Sequence, residues 1–262
     1  MTAQSSPTPK SGSDPHLVED QSEILAFLAR PAAYGLASGP VERIDTHGAS
    51  VFLAGERAYK LKRAVRFPYM DYSTLEKRRV ACETEIALNR RTAPDLYLGV
   101  EPLAREADGA LRIGGDGDVV EWLVVMRRFD QDGLFDRLAE SGRLSADLVS
   151  RLADRIAAFH QAAEPLSADS APGGGSAGLR AVIEENFAEL AERPDLFPPE
   201  ECQALERDAR AALSRHADLL DRRLAEGYVR RCHGDLHLRN ICLYDGEPTI
   251  FDAIEFNDAI AC

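Results

Sequence analysis

The 262-residue chain lacks the excess of basic residues that nucleic-acid-binding proteins carry. It has 31 Lys and Arg against 44 Asp and Glu, which gives a formal net charge of −13. A surface of this sign repels phosphate backbones and anionic lipid headgroups. The charge balance therefore argues against nucleic acids and membranes as partners and favours small or cationic molecules.

Long apolar segments and paired cysteines are also missing. No window reaches the roughly 18 consecutive apolar residues of a membrane-spanning helix, and the N-terminus has no apolar core of a signal peptide. The five cysteines are odd in number and irregularly spaced, which predicts reduced thiols. These features predict a cytoplasmic protein without disulfides, whose oligomeric state the sequence leaves unknown.

The first half of the chain is predicted to be rich in strands. Residues 1–20 contain many Ser, Pro, Thr and Gly and are expected to form a disordered tail. A capping box of Ser73 and Glu76 predicts a helix that ends before Pro94, and the basic run that follows Glu76 is expected on its solvated face. The predicted strands are VERID, SVFLA and RAYKLK, which form an antiparallel meander, and LYLGVEPLA and VVEWLVVM.

The second half of the chain is predicted to be helical. Helical periodicity dominates after Met126, and the glycine-rich string APGGGSAG is predicted to be a loop between helices. Runs of strands followed by runs of helices indicate an α+β protein with two lobes. The predicted boundaries are a tail over 1–20, a strand-rich lobe over 21–126 and a helical lobe over 127–262.

The segment RCHGDLHLRNICLYDGEPTIFDAIEF holds the densest group of chemically active side chains. Asp235 and Asn240 are five residues apart, and Asp252 follows twelve residues later. Amide and carboxylate oxygens suit Mg²⁺, which takes its other ligands from water and substrate phosphates. With Asn240 and Asp252 on a cation, Asp235 is left to orient and deprotonate a hydroxyl group.

A hairpin is predicted to bring the two expected metal ligands together. The runs ICLY and TIF flank DGEP, which is a good turn sequence. Pairing of Tyr244 with Thr249 would place Asn240 almost opposite Asp252. Their oxygens would then be able to share one cation.

The string HGDLHLRN followed by IFD resembles the catalytic segment of the aminoglycoside phosphotransferase and choline kinase group, written H-G-D-x-H-x-x-N and then a metal-binding Asp. The stretches YKLKRAVRFPYMDYSTLEKRR and ETEIALNRRTAPDLYLGV resemble one largely uncharacterised bacterial branch of that group, which is sometimes fused to a P-loop domain. The resemblance implies a two-lobed fold like that of protein kinases, with nucleotide binding in the N-terminal lobe. It also implies helices beyond Cys262, so the helical lobe is expected to be incomplete.

The activity that this resemblance implies is an ATP- and Mg²⁺-dependent kinase of a small molecule with a hydroxyl group. Asp235 would be the catalytic base, and Asn240 and Asp252 would hold the metal. The strand VVMRRF resembles the hinge of kinases, where backbone groups near Met126 and Arg128 would meet the adenine edge.

The resemblance assigns a lysine to the phosphates of ATP. Lys60 is the candidate and Lys62 the competitor, because strand alternation places both on one face. Ala58, two residues before Lys60 as in V-A-I-K, favours Lys60. The family pattern favours Glu85 over Glu83 as its ion-pair partner. The turn THGAS has a single glycine, in contrast to the G-x-G-x-x-G loop of protein kinases.

Two other functions remain open from the sequence. The string GDLH resembles the G-D-x-H opening of binuclear metallophosphoesterases, although only 27 residues follow Asp235 and none of them form G-N-H. A non-catalytic nucleotide-binding module would be expected to lack the base or a metal ligand. His233 is expected to orient the loop, His237 fits either chemistry or loop orientation, and His160 is expected to be a core residue.

The resemblance also implies that the helical interval between His160 and His233 forms the acceptor site. Residues 161–229 contain 14 acidic and 7 basic residues and no lysine. The expected acceptor is an aminoglycoside, an amino alcohol or a sugar-like molecule, and the acidic surface favours one with positive charge.

Overall fold

The computed structural model describes residues 16–167 and 174–262. The chain has the α+β class that the order of predicted strands and helices indicates, and it divides into two compact units. The first comprises the chain up to Cys82 together with Val100–Val125, and the second comprises Glu83–Gly99 and Met126–Cys262. No helix within the described ranges is both long and apolar enough to cross a membrane.

The first unit is built around a six-stranded sheet. Its strands are β1 (Val41–Asp45), β2 (Ala49–Ala54), β3 (Arg57–Lys62), β6 (Tyr97–Arg105), β7 (Leu111–Ile113) and β8 (Asp118–Arg127). They lie in the order β1-β2-β3-β8-β6-β7, and the antiparallel pairing of β1, β2 and β3 confirms the predicted meander. The unit also contains α1 (Ser22–Leu28) and a short hairpin of β4 (Arg66–Phe67) and β5 (Met70–Asp71).

Residues 16–20 make defined contacts and are not the tail that the sequence predicts. Leu17 forms a β-bridge with Val65. The carboxylate of Glu19 lies 2.8 Å from a guanidinium nitrogen of the buried Arg78. The expected disordered tail is therefore wrong for these five residues, and its remainder, residues 1–15, lies outside the described part of the chain.

A buried ion pair joins α2 (Leu75–Asn89) to the sheet. Arg78 and Glu121 of β8 are both 0% exposed, and the guanidinium contacts both carboxylate oxygens, at 3.0 and 2.7 Å. Burial raises the pKa of Glu121, and Arg78 opposes that shift. The expected solvated face is therefore wrong for Arg78, because this side of α2 packs against the sheet.

The helix α2 begins one residue later than the predicted capping box requires. Thr74 is the cap, because its hydroxyl oxygen accepts a hydrogen bond from the N–H of Lys77 at 3.2 Å. Ser73 lies outside the helix, where its N–H donates to the Asp71 carboxylate at 3.0 Å. The predicted pairing of Ser73 with Glu76 is therefore wrong, although the predicted helix is present.

The second unit contains most of the helices and one hairpin. These elements are α3 (Phe135–Glu140), α4 (Ala146–Ala162), α5 (Gly175–Ala191), α6 (Pro199–Ala225), β9 (Ile241–Tyr244) and β10 (Glu247–Ile250), together with the second half of α2. The hairpin packs against α3 and α4 through a buried apolar cluster of Phe135, Leu138, Leu152, Ile241 and Ile250. This packing gives the hairpin a rigid base.

The helix α5 starts inside the glycine-rich string that was predicted to be a loop. The Asp221 carboxylate of α6 accepts hydrogen bonds from the N–H and the hydroxyl of Ser176, at 2.8 and 2.9 Å. A carboxylate at a helix N-terminus satisfies donors that lack partners within the helix. The predicted loop is therefore wrong for residues 175–178, and residues 171–173 lie outside the described chain.

Candidate active site

The β9–β10 hairpin has a tighter turn than the sequence predicts. Asp245 and Gly246 form the turn, and both have positive φ values, 49° and 78°. A two-residue turn of the I′ type requires such values at both positions. Tyr244 therefore pairs with Glu247, and the predicted pairing with Thr249 is wrong by two residues.

The corrected register still brings Asn240 and Asp252 together. Beyond the strands, the N–H of Phe251 donates to the Asn240 carbonyl at 3.0 Å, and Asp252 is the next residue. Asp252 has a φ of 63°, a conformation that residues with a side chain rarely adopt. Asp245, in the hairpin turn, also has a positive φ, so this conformation marks a special backbone position at Asp252 and does not by itself identify a functional residue.

The Asn240 side chain orients Asp235. Its amide nitrogen donates to the backbone carbonyl of Asp235 at 2.9 Å and to the carboxylate Oδ2 at 3.1 Å. Asn240 is 7% exposed, whereas 53% of the Asp235 side chain is open to solvent. The amide oxygen is the other branch of the Asn240 side chain and is the atom available to a cation. Asp235 is thus both held in place and accessible.

Two histidines shape the loop around Asp235. The N–H of Asp235 donates to Nδ1 of His233 at 3.3 Å, so Nε2 carries the proton and donates to the Phe251 carbonyl at 2.8 Å. Burial lowers the pKa of His233, which favours this neutral form. His237 accepts from the N–H of Arg239 at 3.2 Å, and its Nε2 lies 3.4 Å from the Asp235 carboxylate. His233 orients the loop, while His237 caps the next turn and faces Asp235.

Glycine is required between His233 and Asp235. Gly234 has a φ of 86°, and a Cβ atom there would lie 3.0 Å from the Cα of Ala261 and 3.1 Å from the Ile254 side chain. Both the conformation and the close approach exclude a side chain. The glycine of the H-G-D string therefore sets the path of the loop.

Arg91, which the sequence does not single out, supports the start of the same segment. Its guanidinium donates to the carbonyls of Arg231 and Cys232, at 2.8 and 3.1 Å, and lies 5.0 Å above the ring of Phe159. Burial lowers the pKa of Arg91. The side chain therefore ties the end of α2 to the residues just before H-G-D.

Two more residues missed by sequence reasoning contact the other end of the segment. The N–H of Asp252 donates to the Tyr97 hydroxyl at 3.1 Å, and the N–H of Ala253 donates to Asn89 Oδ1 at 2.9 Å. Asn89 is 0% exposed and Tyr97 is 1% exposed. A polar residue on the buried face of a helix is the one sequence feature that could have indicated Asn89.

Both candidate phosphate lysines lie on β3 of the first unit. Lys60 pairs with Val51, and Lys62 pairs with Ala49, so the two share one face of the strand. Lys60 is partly buried. Lys62 is 1% exposed, and its ammonium group lies 5.3 Å from the centre of the Tyr72 ring. The choice of Lys60 stays a prediction.

The remaining predicted residues belong to the second unit. Glu85 is 0% exposed, whereas Glu83 is on the exposed side of α2. Burying a carboxylate is costly unless a cation compensates its charge. A buried glutamate such as Glu85 therefore suits the role of an ion-pair partner. Met126 is buried near the end of β8, and Arg128 is exposed just after it. Their role at the adenine edge stays a prediction.

The donor set at the hairpin fits a hard divalent cation. Asn240 offers an amide oxygen and Asp252 a carboxylate, both of which Mg²⁺ accepts. In residues 16–167 and 174–262, no three His, Cys, Asp or Glu side chains are grouped so as to hold a metal ion. Two protein ligands would leave coordination positions for water and for the phosphates of a substrate.

Comparison with known proteins identifies the family and supports the predicted α+β, protein-kinase-like fold. The chain belongs to the phosphotransferase enzyme family, whose model matches residues 70–252. That range includes Asp235, Asn240 and Asp252, while Lys60 and Lys62 precede it. Curated relatives described as uncharacterized proteins, in Mycobacterium tuberculosis and Mycobacterium bovis, are 32% identical over 217 residues. The match covers 82% of this chain and 42% of each relative, so the chain spans about two fifths of their length.

Proposed function

We propose that this protein transfers the γ-phosphoryl group of ATP to a hydroxyl group of a small molecule, with Mg²⁺ as cofactor. The observation that carries the proposal is the position of Asn240. Its side-chain amide nitrogen donates to the Asp235 carboxylate at 3.1 Å, and its backbone carbonyl accepts a hydrogen bond from Phe251, the residue before Asp252. Membership of the phosphotransferase enzyme family supports this class of reaction.

Asp235 is the proposed base. Its carboxylate is exposed enough to meet an acceptor, and the Asn240 amide restricts its orientation. As the acceptor oxygen forms its bond to phosphorus, its proton passes to the carboxylate, and the bond from the γ-phosphorus to the leaving oxygen of ADP breaks. His237, 3.4 Å from the same carboxylate, adds to the control of its position.

The proposed metal ligands are Asn240 Oδ1 and the Asp252 carboxylate. When bound, Mg²⁺ neutralises charge on the transferred phosphoryl group and on the leaving group. The contribution of the protein is to hold these two oxygens in place, through the hairpin pairing on one side and the Asp252 backbone on the other.

The proposed nucleotide contacts come from residues assigned by the sequence motifs. Lys60 places a localised positive charge on the α- and β-phosphates, and Lys62 is the alternative for that role. Glu85 is the proposed ion-pair partner of the lysine, and its complete burial supports that role. Backbone groups near Met126 and Arg128 are the proposed contacts to adenine.

The acceptor is proposed to be a hydroxyl-bearing molecule of the aminoglycoside, amino-alcohol or sugar type. The helices α5 and α6 occupy most of the interval 161–229, where acidic residues outnumber basic ones by two to one. Charge of this sign supports a cationic acceptor, because it raises the local concentration of cations.

A transfer screen with γ-labelled ATP tests the proposal and separates it from its competitors. The protein is incubated with a panel of aminoglycosides, amino alcohols and sugars, with Mg²⁺ or with a chelator. We expect label in an organic product, in the presence of Mg²⁺ only. Label released solely as inorganic phosphate for every acceptor would indicate a phosphoesterase, and ATP binding without turnover would indicate a binding module. Either result would contradict the proposal.

A further inference from the structure

We propose that Tyr97 and Asn89 are positioning residues that set the direction of the Asp252 carboxylate. Neither residue belongs to the motif that suggested the site, and neither offers an atom to the substrate in the proposed reaction. The inference rests on the proposed function, because it assigns these residues to the metal ligand of that reaction.

The two side chains hold consecutive backbone N–H groups on either side of the Asp252 Cα atom. The Tyr97 hydroxyl accepts from Asp252 at 3.1 Å, and Asn89 Oδ1 accepts from Ala253 at 2.9 Å. The first N–H lies in the peptide plane before the Cα atom, and the second lies in the plane after it. Fixing both planes fixes φ and ψ of Asp252, and these angles determine where the carboxylate points.

The conformation that is fixed in this way is less favourable than the right-handed helical and extended regions. Asp252 has a φ of 63°, which Asp adopts more readily than most residues but which contacts with its surroundings stabilise. Tyr97 and Asn89 are almost completely buried, so water does not compete for their oxygens. The Asn89 amide nitrogen also donates to the Glu85 carbonyl at 2.9 Å, which restrains the side chain from its other end.

The backbone N–H groups of the residues on either side, Phe251 and Ile254, are bonded in a different way. The N–H of Phe251 donates to the Asn240 carbonyl, and the N–H of Ile254 donates to the His233 carbonyl, both at 3.0 Å. Those outer bonds have backbone acceptors. Only the two inner bonds, which flank Asp252, have side-chain acceptors. Point substitutions at Tyr97 or Asn89 can therefore remove the hydrogen bonds that flank Asp252 and leave the outer backbone hydrogen bonds in place.

The variants Tyr97→Phe and Asn89→Leu remove one acceptor each with little change in volume. Tyr34→Phe is the matched control, because its hydroxyl donates to the Leu28 carbonyl at 2.6 Å within the first unit. Two readouts avoid the need for an acceptor substrate. The first is Mn²⁺ binding in the presence of ADP, followed by electron paramagnetic resonance. The second is amide hydrogen exchange of the apoprotein across residues 251–254.

We expect both test variants to bind Mn²⁺ about 10- to 100-fold more weakly than the unaltered protein, the usual effect of losing a partner that orients a metal ligand. ADP affinity without metal should not change, and exchange at Asp252 and Ala253 should become faster. Tyr34→Phe should change none of these quantities. A general structural role would instead weaken metal-free ADP binding and accelerate exchange throughout the unit.

Unchanged Mn²⁺ affinity in Tyr97→Phe and Asn89→Leu would overturn the inference, and so would equal losses of Mn²⁺ and metal-free ADP binding. The proposed function fails in a different way. In that case the unaltered protein itself would bind no Mn²⁺ with ADP, which would remove the metal site and the inference together.

Discussion

The buried pair of Arg78 and Glu121 makes a quantitative prediction about the stability of the first unit. Both side chains are 0% exposed, and Arg78 also donates to the Tyr72 carbonyl at 3.1 Å. Arg78→Met would leave the Glu121 carboxylate buried without its cation. Breaking such a pair from one side costs about 3–5 kcal/mol, because the remaining charge is uncompensated. We expect a loss of that size in the unfolding free energy at neutral pH.

Chemical denaturation followed by tryptophan fluorescence is a direct assay. The chain has one tryptophan, Trp122, which is adjacent to Glu121 and therefore reports on this unit. A double variant, Arg78→Met with Glu121→Gln, removes the buried negative charge while keeping an acceptor for the Gln21 amide. It should therefore recover much of the lost unfolding free energy. Arg79→Met is the matched control. Its partner Glu76 is exposed, and we expect little or no effect.

The pH dependence provides a further check on this explanation. Burial raises the pKa of Glu121 above its ordinary 4.5, and removal of Arg78 removes an opposing influence. At pH values well below 4.5 the carboxyl group is protonated in the folded and unfolded states alike, so no charge is buried. The deficit of Arg78→Met should therefore shrink as the pH falls towards 4.5. Equal losses in Arg78→Met and Arg79→Met, or a deficit independent of pH, would refute the reasoning.

Three further predictions concern the lysines, the loop glycine and the buried histidine. Lys60→Met should lower phosphoryl transfer by on the order of 10²-fold, and Lys62→Met should retain it at the cost of stability; the opposite outcome would move the phosphate site to Lys62. Gly234→Ala should destabilise the protein more than Gly246→Ala in thermal melts, because both have positive φ but only Gly234 has atoms within 4 Å of the added Cβ. Equal losses would show that the close approach is unimportant. Burial lowers the pKa of His233 below its ordinary 6.5, so the unfolded state takes up the proton first and the unfolding free energy should fall as the pH drops below about 6.5. Denaturant titrations followed by circular dichroism should show this slope in the unaltered protein and a smaller slope in His233→Gln.

The sequence predicts those features of the fold that depend on local pattern. The strand β3 and the long helices follow from periodicity, and the α+β class follows from their order. The hairpin was correctly expected after Asn240, but its register was wrong because DGEP permits either a two-residue or a four-residue turn. The positive φ values of Asp245 and Gly246 decide for the shorter turn, and a turn sequence alone does not reveal them.

The features that could not be predicted depend on contacts between distant parts of the chain. The burial of Arg78 requires Glu121, which is 43 residues away. The role of Asn89 requires a backbone N–H 164 residues further along. No local pattern encodes such separations. Asp235, Asn240 and Asp252 were identifiable because their spacing resembles a known motif, whereas Asn89 and Tyr97, which contact the backbone next to Asp252, lie outside that motif.

The central claim is that Asp235 is the base of a phosphoryl transfer, and a matched pair of variants tests it most directly. Asp235→Asn and Asp245→Asn make the same change, but Asp245 lies in the exposed hairpin turn, where asparagine tolerates positive φ. Transfer of label from γ-labelled ATP to the best acceptor of the screen, together with ATP affinity, would be measured for both. We expect Asp235→Asn to bind ATP normally and to lose transfer by on the order of 10²-fold or more, with Asp245→Asn fully active. Undiminished transfer by Asp235→Asn would contradict the account.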